Sequence, residues 1–312
     1  MQTTNSSTSG SAVASLSQTT PPSPPALRNW LRRLRTRGIH ASFHLRENIL
    51  HRTGRVRPLR LFFSSKPEWE PAIRRSFRFT PHRLTFGAIP AVPVGSDALV
   101  VPLTLEDTLH VATECHNLGS THPLAAPPPM IALCNDKHRA NEALCSLGFG
   151  ALVPRASPCL RPPYVLKKKV DQWGCHTRII RTAEEEIGLG ALLESPEYFR
   201  QQIVPGPYEY ASHVVMRGGR VSCSVTVRMM FDSESFVYGR DGMRPRERVV
   251  VPCEHLRVLE AMLAAIGYEG LCCVDYKVRK NQPAIFEINP RFGASLAPYF
   301  YSFLRHLPCP GG

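Results

Sequence analysis

Two alternating apolar runs near the C-terminal end, residues 271–278 and 284–288, flank a segment of turn composition, 279–283, and so predict a β-hairpin. In a hairpin, side chains alternate between two faces along each strand, and cross-strand partners lie roughly 5 Å apart. A turn centred on Asn281 sets Asp275 opposite Glu287 and puts Glu287, Asn289 and Arg291 on one face. Two carboxylates and an amide oxygen then converge.

Carboxylates held that close repel one another unless a cation lies between them, and hard oxygen donors suit Mg²⁺ or Mn²⁺ rather than zinc. The competing reading makes Asp275 and Glu287 solvated charges on the open face of the hairpin, paired with Lys277 and Arg291. The ordered string Glu287-Ile-Asn-Pro-Arg291 shifts the balance toward a metal–phosphate site.

The segment 270–294 resembles the signature of ATP-grasp enzymes, in which a Gly-x-x-x-x-Asp strand precedes a Glu-x-Asn-Pro-Arg strand. That resemblance implies that Asp275, Glu287 and Asn289 hold Mg²⁺ (or Mn²⁺) and that Arg291 faces the transferring phosphoryl group of ATP. Upstream strings follow in the order expected of a carbamoyl-phosphate-synthase-like ATP-binding pattern. Asp136-Lys137 looks like the family's Asp-Lys helix start, with Asp136 also a plausible N-cap and Lys137 directed at the phosphates. Pro163-Tyr-Val-Leu-Lys167 looks like the lid strand, whose lysine contacts phosphate oxygens. Gln202-Ile-Val-Pro-Gly-Pro-Tyr-Glu209 is similar to the hinge that clamps adenine. There the backbone near Val204 would pair with the base, Gln202 would stand where relatives carry glutamate, and Glu209 would accept from ribose hydroxyls. One departure stands out: after Lys167 the family has a glycine-rich loop, whereas 168–176 retains Gly174 alone and carries Lys168, Lys169, Trp173 and His176.

The fold class expected is mixed α/β and α+β with ATP-grasp architecture. It would comprise a tail at 1–57, a small parallel α/β domain at 58–134, a lid subdomain at 135–204 and a larger antiparallel-sheet lobe at 205–308. Strands are predicted at 58–63, 98–102 and 130–134, with a helix at 105–118, alternation that points to a parallel sheet. Residues 71–96 are proline-rich and fit no element. Paired glycines at 218–219 predict a second hairpin.

Of the formal net charge of +13, most lies in residues 1–60, which hold ten arginines and one acid, Glu47. Residues 1–25 are rich in Ser, Thr and Pro and uncharged, a composition that stays disordered. Leu27, Trp30, Leu31 and Leu34 then alternate with arginines at helical spacing. Linker, targeting or contact helix for nucleic acid or anionic membrane, and start-site artefact all remain open for this stretch. No apolar run reaches the ~20 residues of a membrane span. Ten cysteines without a Cys-x-x-Cys pair fit a cytosolic chain with neither disulfide nor zinc site.

The resemblance implies an ATP-dependent ligase that converts a carboxylate to an acyl phosphate and couples it to an amine or thiol, using Lys167 and Arg291 catalytically. A non-catalytic ATP-binding module and a nucleic-acid-associated protein held through the arginine tail are the alternatives. The small-molecule carboxylate and amine are not specified by the sequence.

Overall fold

The computed structural model describes residue 49 and residues 58–89, 98–114, 124–171, 174–238 and 243–307. The arginine-rich tail lies outside the described residues, as does Trp173.

Three sheets organise the chain. The first is parallel, with order β2-β1-β3, built from β1 (Arg60–Ser64), β2 (Arg83–Gly87) and β3 (Ala98–Val101). The second is antiparallel, with order β5-β4-β6, from β4 (Tyr164–Lys168), β5 (Arg178–Ile180) and β6 (Tyr198–Gln202). The third runs β11-β10-β7-β8-β9, all antiparallel, from β7 (Tyr208–Arg217), β8 (Arg220–Met230), β9 (Glu247–Val251), β10 (Gly270–Arg279) and β11 (Gln282–Asn289). Among the described residues, no helix is long and apolar enough to cross a membrane.

Period-two alternation lets the third sheet serve two purposes at once. Cys272, Val274 and Tyr276 face one way and pack on Leu259, Met262 and Leu263 of the helix Leu256–Ala265 and on Ile131 and Cys134. Each fully buried aliphatic side chain there contributes roughly 1.5–3 kcal/mol. Cys273, Asp275 and Lys277 face the other way. On that face, Ala211, Val225, Val227 and Met229 join Leu61 and Phe63 of the parallel sheet and Phe292, Phe300 and Phe303 in one continuous core. The parallel sheet and the large sheet are thereby fixed relative to one another.

Two expectations are corrected. Residues 130–134 are not a strand: they lie in the helix Pro128–Asn135. Proline is pre-organised for the first helical turn, and a five-residue apolar run does not by itself separate helix from strand. The third parallel strand is instead β2, within the stretch that fitted no element, and the helix Glu70–Ser76 precedes it. β2 is an edge strand with few buried residues, so it lacks the apolar run by which β1 and β3 are read.

At the start of β10, Gly270 has φ +89°, and a Cβ there would stand 2.6 Å from the carbonyl oxygen of Ala125. Only glycine fits both the backbone conformation and the approach. Gly270→Ala is expected to lower stability by on the order of 2–3 kcal/mol, read as a lower urea midpoint at unchanged slope.

Candidate functional site

The β10–β11 hairpin closes through Lys280 and Asn281, both at positive φ (48° and 60°), the geometry of a two-residue turn that matches strand twist. Its register pairs Asp275 with Glu287 and Cys273 with Asn289. Beyond Asp275, toward the turn, the register shifts: Tyr276 opposes Ile285, leaving Phe286 as the extra residue of a bulge. Phe286 and Glu287 consequently both line the same cavity, of about 700 Å³, which simple alternation would forbid.

Lys167 enters from β4, buried, with Nζ donating to the freed Phe286 carbonyl at 3.3 Å. Lys137 enters from below. Asp136 caps the helix Lys137–Leu144 by accepting from the N–H groups of His138 and Arg139, and Lys137 Nζ meets Glu287 Oε2 at 3.3 Å and donates to the Asp171 carbonyl at 2.6 Å. Lys137 therefore sits behind Glu287, on a small crevice shared with Asp171, Asn289 and Arg291, rather than on the wall of the large cavity.

Asn289 stands between the two acids. Its Nδ2 donates to Asp275 Oδ2 at 2.9 Å and to Glu287 Oε1 at 3.0 Å. The sequence reading expected an amide oxygen pointing at the acids; the structure turns the nitrogen toward them, because the amide N–H groups are the donors available to two facing acceptors. Burial, together with the charges of Glu287 and Glu209, pushes the Asp275 carboxyl well above its usual range. Burial would raise Glu287 as well, but the ammoniums of Lys137 and Lys167 and the Asn289 amide outweigh it and bring Glu287 to about 2. Lys167 falls to about 8, chiefly through burial. Burial and crowding thus push the Asp275 carboxyl up while the two ammoniums pull Glu287 down, the divergence expected of two carboxylates forced together.

The hinge follows β6. Gln202 is exposed and its Oε1 accepts from Arg279 Nη1 at 3.4 Å, whereas the adjacent Gln201 is buried and donates to the Pro154 carbonyl. Val204 is buried, and its carbonyl accepts from Lys277 Nζ at 3.2 Å. Glu209, on β7, lines the cavity, and burial lifts it to about 7 against the opposing pull of Lys277. Arg291 also lines the cavity, and its Nη1 donates to the Phe292 carbonyl at 3.0 Å. Gln202, Val204, Glu209, Lys167, Asp275, Glu287, Asn289 and Arg291 thus surround one space, with Lys137 adjoining it.

Lys277 was read from the sequence only as a surface partner for the hairpin acids. It is 3% exposed, donates also to the Glu234 carbonyl at 3.1 Å, and lies 4.0 Å from the Phe236 ring centroid. Two-residue spacing from Asp275 already puts it on the site's face, which is the signal that would have found it. A further cluster, centred on His213, adjoins the cavity at Cys273, Gly293 and Ser295. His213, fully buried on β7, meets Ser295 Oγ through Nε2 at 2.8 Å, and a Cβ at Gly293 would stand 2.6 Å from His213 Cε1.

The glycine-poor loop is organised by other means. Asp171 accepts from the backbone N–H and from the Nδ1 of His176, each at 3.0 Å. Gly174 has φ +64°, and a Cβ there would meet Val237 Cγ1 at 3.2 Å. The loop thereby rests on residues 237–238. Lys168 pairs with exposed Glu197 at 3.5 Å, an ordinary surface contact.

A parallel α/β layer, a small antiparallel lid and a large antiparallel sheet around one cavity constitute the ATP-grasp fold, and the chain has that fold. The phosphoribosylamine–glycine ligase of Thermotoga maritima is similar over 80% of this chain and 75% of that one (TM-score 0.57, 18% identity). D-alanine–D-alanine ligase from Bacillus anthracis is similar over 79% and 91% (0.52, 13%), and the ADP complex of N5-carboxyaminoimidazole synthetase from Staphylococcus aureus over 81% and 78% (0.51, 10%). No family's sequence profile matches the chain, nor does any curated protein sequence.

Two measurements probe this electrostatic arrangement. In metal-free buffer Asp275→Asn is expected to raise stability by about 1 kcal/mol, because it removes a buried acid crowded by two others; denaturant midpoints read it. Burial brings the His213 imidazole down to about 3, so below pH 6.5 the unfolded chain takes up a proton that the folded chain refuses. Between pH 6.5 and 3 the wild type is expected to lose about 1.4 kcal/mol more per pH unit than His213→Asn.

Proposed function

We propose that the chain is an ATP-dependent ligase that activates a carboxylate as an acyl phosphate and couples it to an amine, or less often a thiol. The observation that carries this reading is the Asp275–Asn289–Glu287 group, whose two carboxylates face each other across a bulged hairpin with buried Lys167 alongside. Solved proteins of the same fold named as ligases and synthetases, one of them with ADP bound, support it.

The donor set suits Mg²⁺: two carboxylates and one amide are too few to cage an ion alone, and Mg²⁺ takes one or two carboxylates with phosphate oxygens and water completing its shell. Asp275, Glu287 and, after rotation of its amide, Asn289 would hold it; when bound, it would neutralise charge on the phosphate oxygens. The chain's own groups do the rest. Val204 and Glu209 bind and orient the nucleoside, with Lys277 fixing the hinge carbonyl against residues 234–236. Lys167 and Arg291 spread the negative charge that develops as the γ-phosphoryl passes to the substrate carboxylate. The amine then displaces phosphate from the acyl carbon, leaving an amide, ADP and phosphate.

ADP release should depend on both Mg²⁺ and an acid substrate, and Glu287→Ala is expected to lower it by at least about a hundredfold. Equal release by the variant would remove Glu287 from the reaction. Tight Mg·ATP binding without ADP formation across a broad panel of acids and amines would instead favour a non-catalytic ATP-binding module.

A further inference from the structure

The cavity's described lining carries three carboxylates, Glu209, Asp275 and Glu287, and five cationic side chains, Lys167, Lys277, Arg244, Arg248 and Arg291. Both lysines are engaged: Lys167 with the Phe286 carbonyl beside Glu287, and Lys277 with two carbonyls beside Glu209. Arg244 and Arg248 are different. Neither has a carboxylate within ion-pair distance among the described residues, and both are exposed at the cavity's mouth.

Sheet register locates Arg248. It stands on edge strand β9 opposite Met229, which in turn opposes Glu209, so the row runs Glu209, Met229, Arg248 across β7, β8 and β9. At about 4.8 Å per strand, its backbone is roughly 10 Å from that of Glu209 and roughly 14 Å from β10, which carries Asp275. A group gripped by Arg248 is therefore separate from a phosphoryl group held at the Asp275–Glu287 pair. Arg248 Nη2 donates to Tyr238 Oη, and its guanidinium lies 5.8 Å from that ring's centroid, which restrains the arm along the wall. Tyr238 is within electrostatic reach of Arg244 and Arg248 on one hand and of Glu209 and Asp275 on the other. Among the described residues, no acid accompanies Arg244, Met243, Pro245 and Arg248 on their stretch of the wall.

We propose that the acid substrate carries a second anionic group, a carboxylate or a phosphate, and that Arg248 and Arg244 bind it. This rests on the ligase reading and specifies its substrate class. A guanidinium's planar fork matches either anion bidentately, and a monocarboxylate would leave Arg244 and the remaining donors of Arg248 without an anion. Exposure at the mouth screens the attraction, so the discrimination expected is about tenfold in binding and not the far larger factors of enclosed sites.

The test uses the full chain with Mg²⁺ and a non-hydrolysable ATP analogue, titrated calorimetrically with propionate, succinate, glutarate and phosphoglycolate. The dianions should bind at least about tenfold more tightly than propionate, and Arg244→Gln/Arg248→Gln should erase that difference while leaving affinity for the ATP analogue and the melting temperature in place. Succinate and phosphoglycolate compared with each other separate carboxylate from phosphate. Equal affinities for mono- and dianions, or a preference that survives the double substitution, would overturn the proposal. A parallel ADP-release assay on the same acids reports on the ligase reading separately: dianion binding that needs both arginines but gives no ADP would keep the anion subsite and remove the ligase.

Discussion

The cavity is organised around two carboxylates that the backbone sets face to face. The antiparallel pairing of β10 with β11 sets Asp275 against Glu287, and their partial burial raises the cost of keeping both charged. Nearby side chains ease the conflict: Lys137 and Lys167 favour the charged form of Glu287, the Asp275 carboxyl is pushed up, and Asn289 bridges the two with its amide nitrogen. The lysines come from a helix start and a lid strand distant in sequence, so this one electrostatic problem also ties three parts of the chain together. A structural salt-bridge network would need no cavity beside it; here Lys167, Asp275, Glu287 and Asn289 form the cavity's wall.

How much of this was legible in the sequence varies with the range of the interaction. The hairpin and the facing of Asp275 and Glu287 could be read because the alternation is local. The Asp136 cap could be read for the same reason. The pairing of 276–279 could not: a turn centred on Asn281 sets Tyr276 opposite Phe286, whereas Tyr276 opposes Ile285. The bulge at Phe286 could not, because nothing in the alternation of 284–288 marks where an extra residue enters. Nor could the helix Pro128–Asn135 or the strand β2: the first is a short apolar run whose conformation its surroundings decide, the second a half-exposed edge strand whose order comes from pairing with β1. The arginines of β9 were invisible as site residues for a related reason, since only the cross-sheet row beginning at Glu209 brings Arg248 to the cavity.

The loop after Lys167 shows how a missing sequence feature can be replaced by other physics. A glycine-rich loop offers free backbone N–H groups and positive φ at low cost; this chain keeps one such position, Gly174, and supplies rigidity through Asp171. That aspartate is 3% exposed at its side chain, and its own carbonyl accepts from Lys137, whose ammonium also meets Glu287. The loop is thus pinned to the acid pair from its base and to residues 237–238 from its tip. Among its described residues, the segment after Lys167 is therefore tied through Asp171 and Lys137 to Glu287, a connection that a run of glycines would not supply.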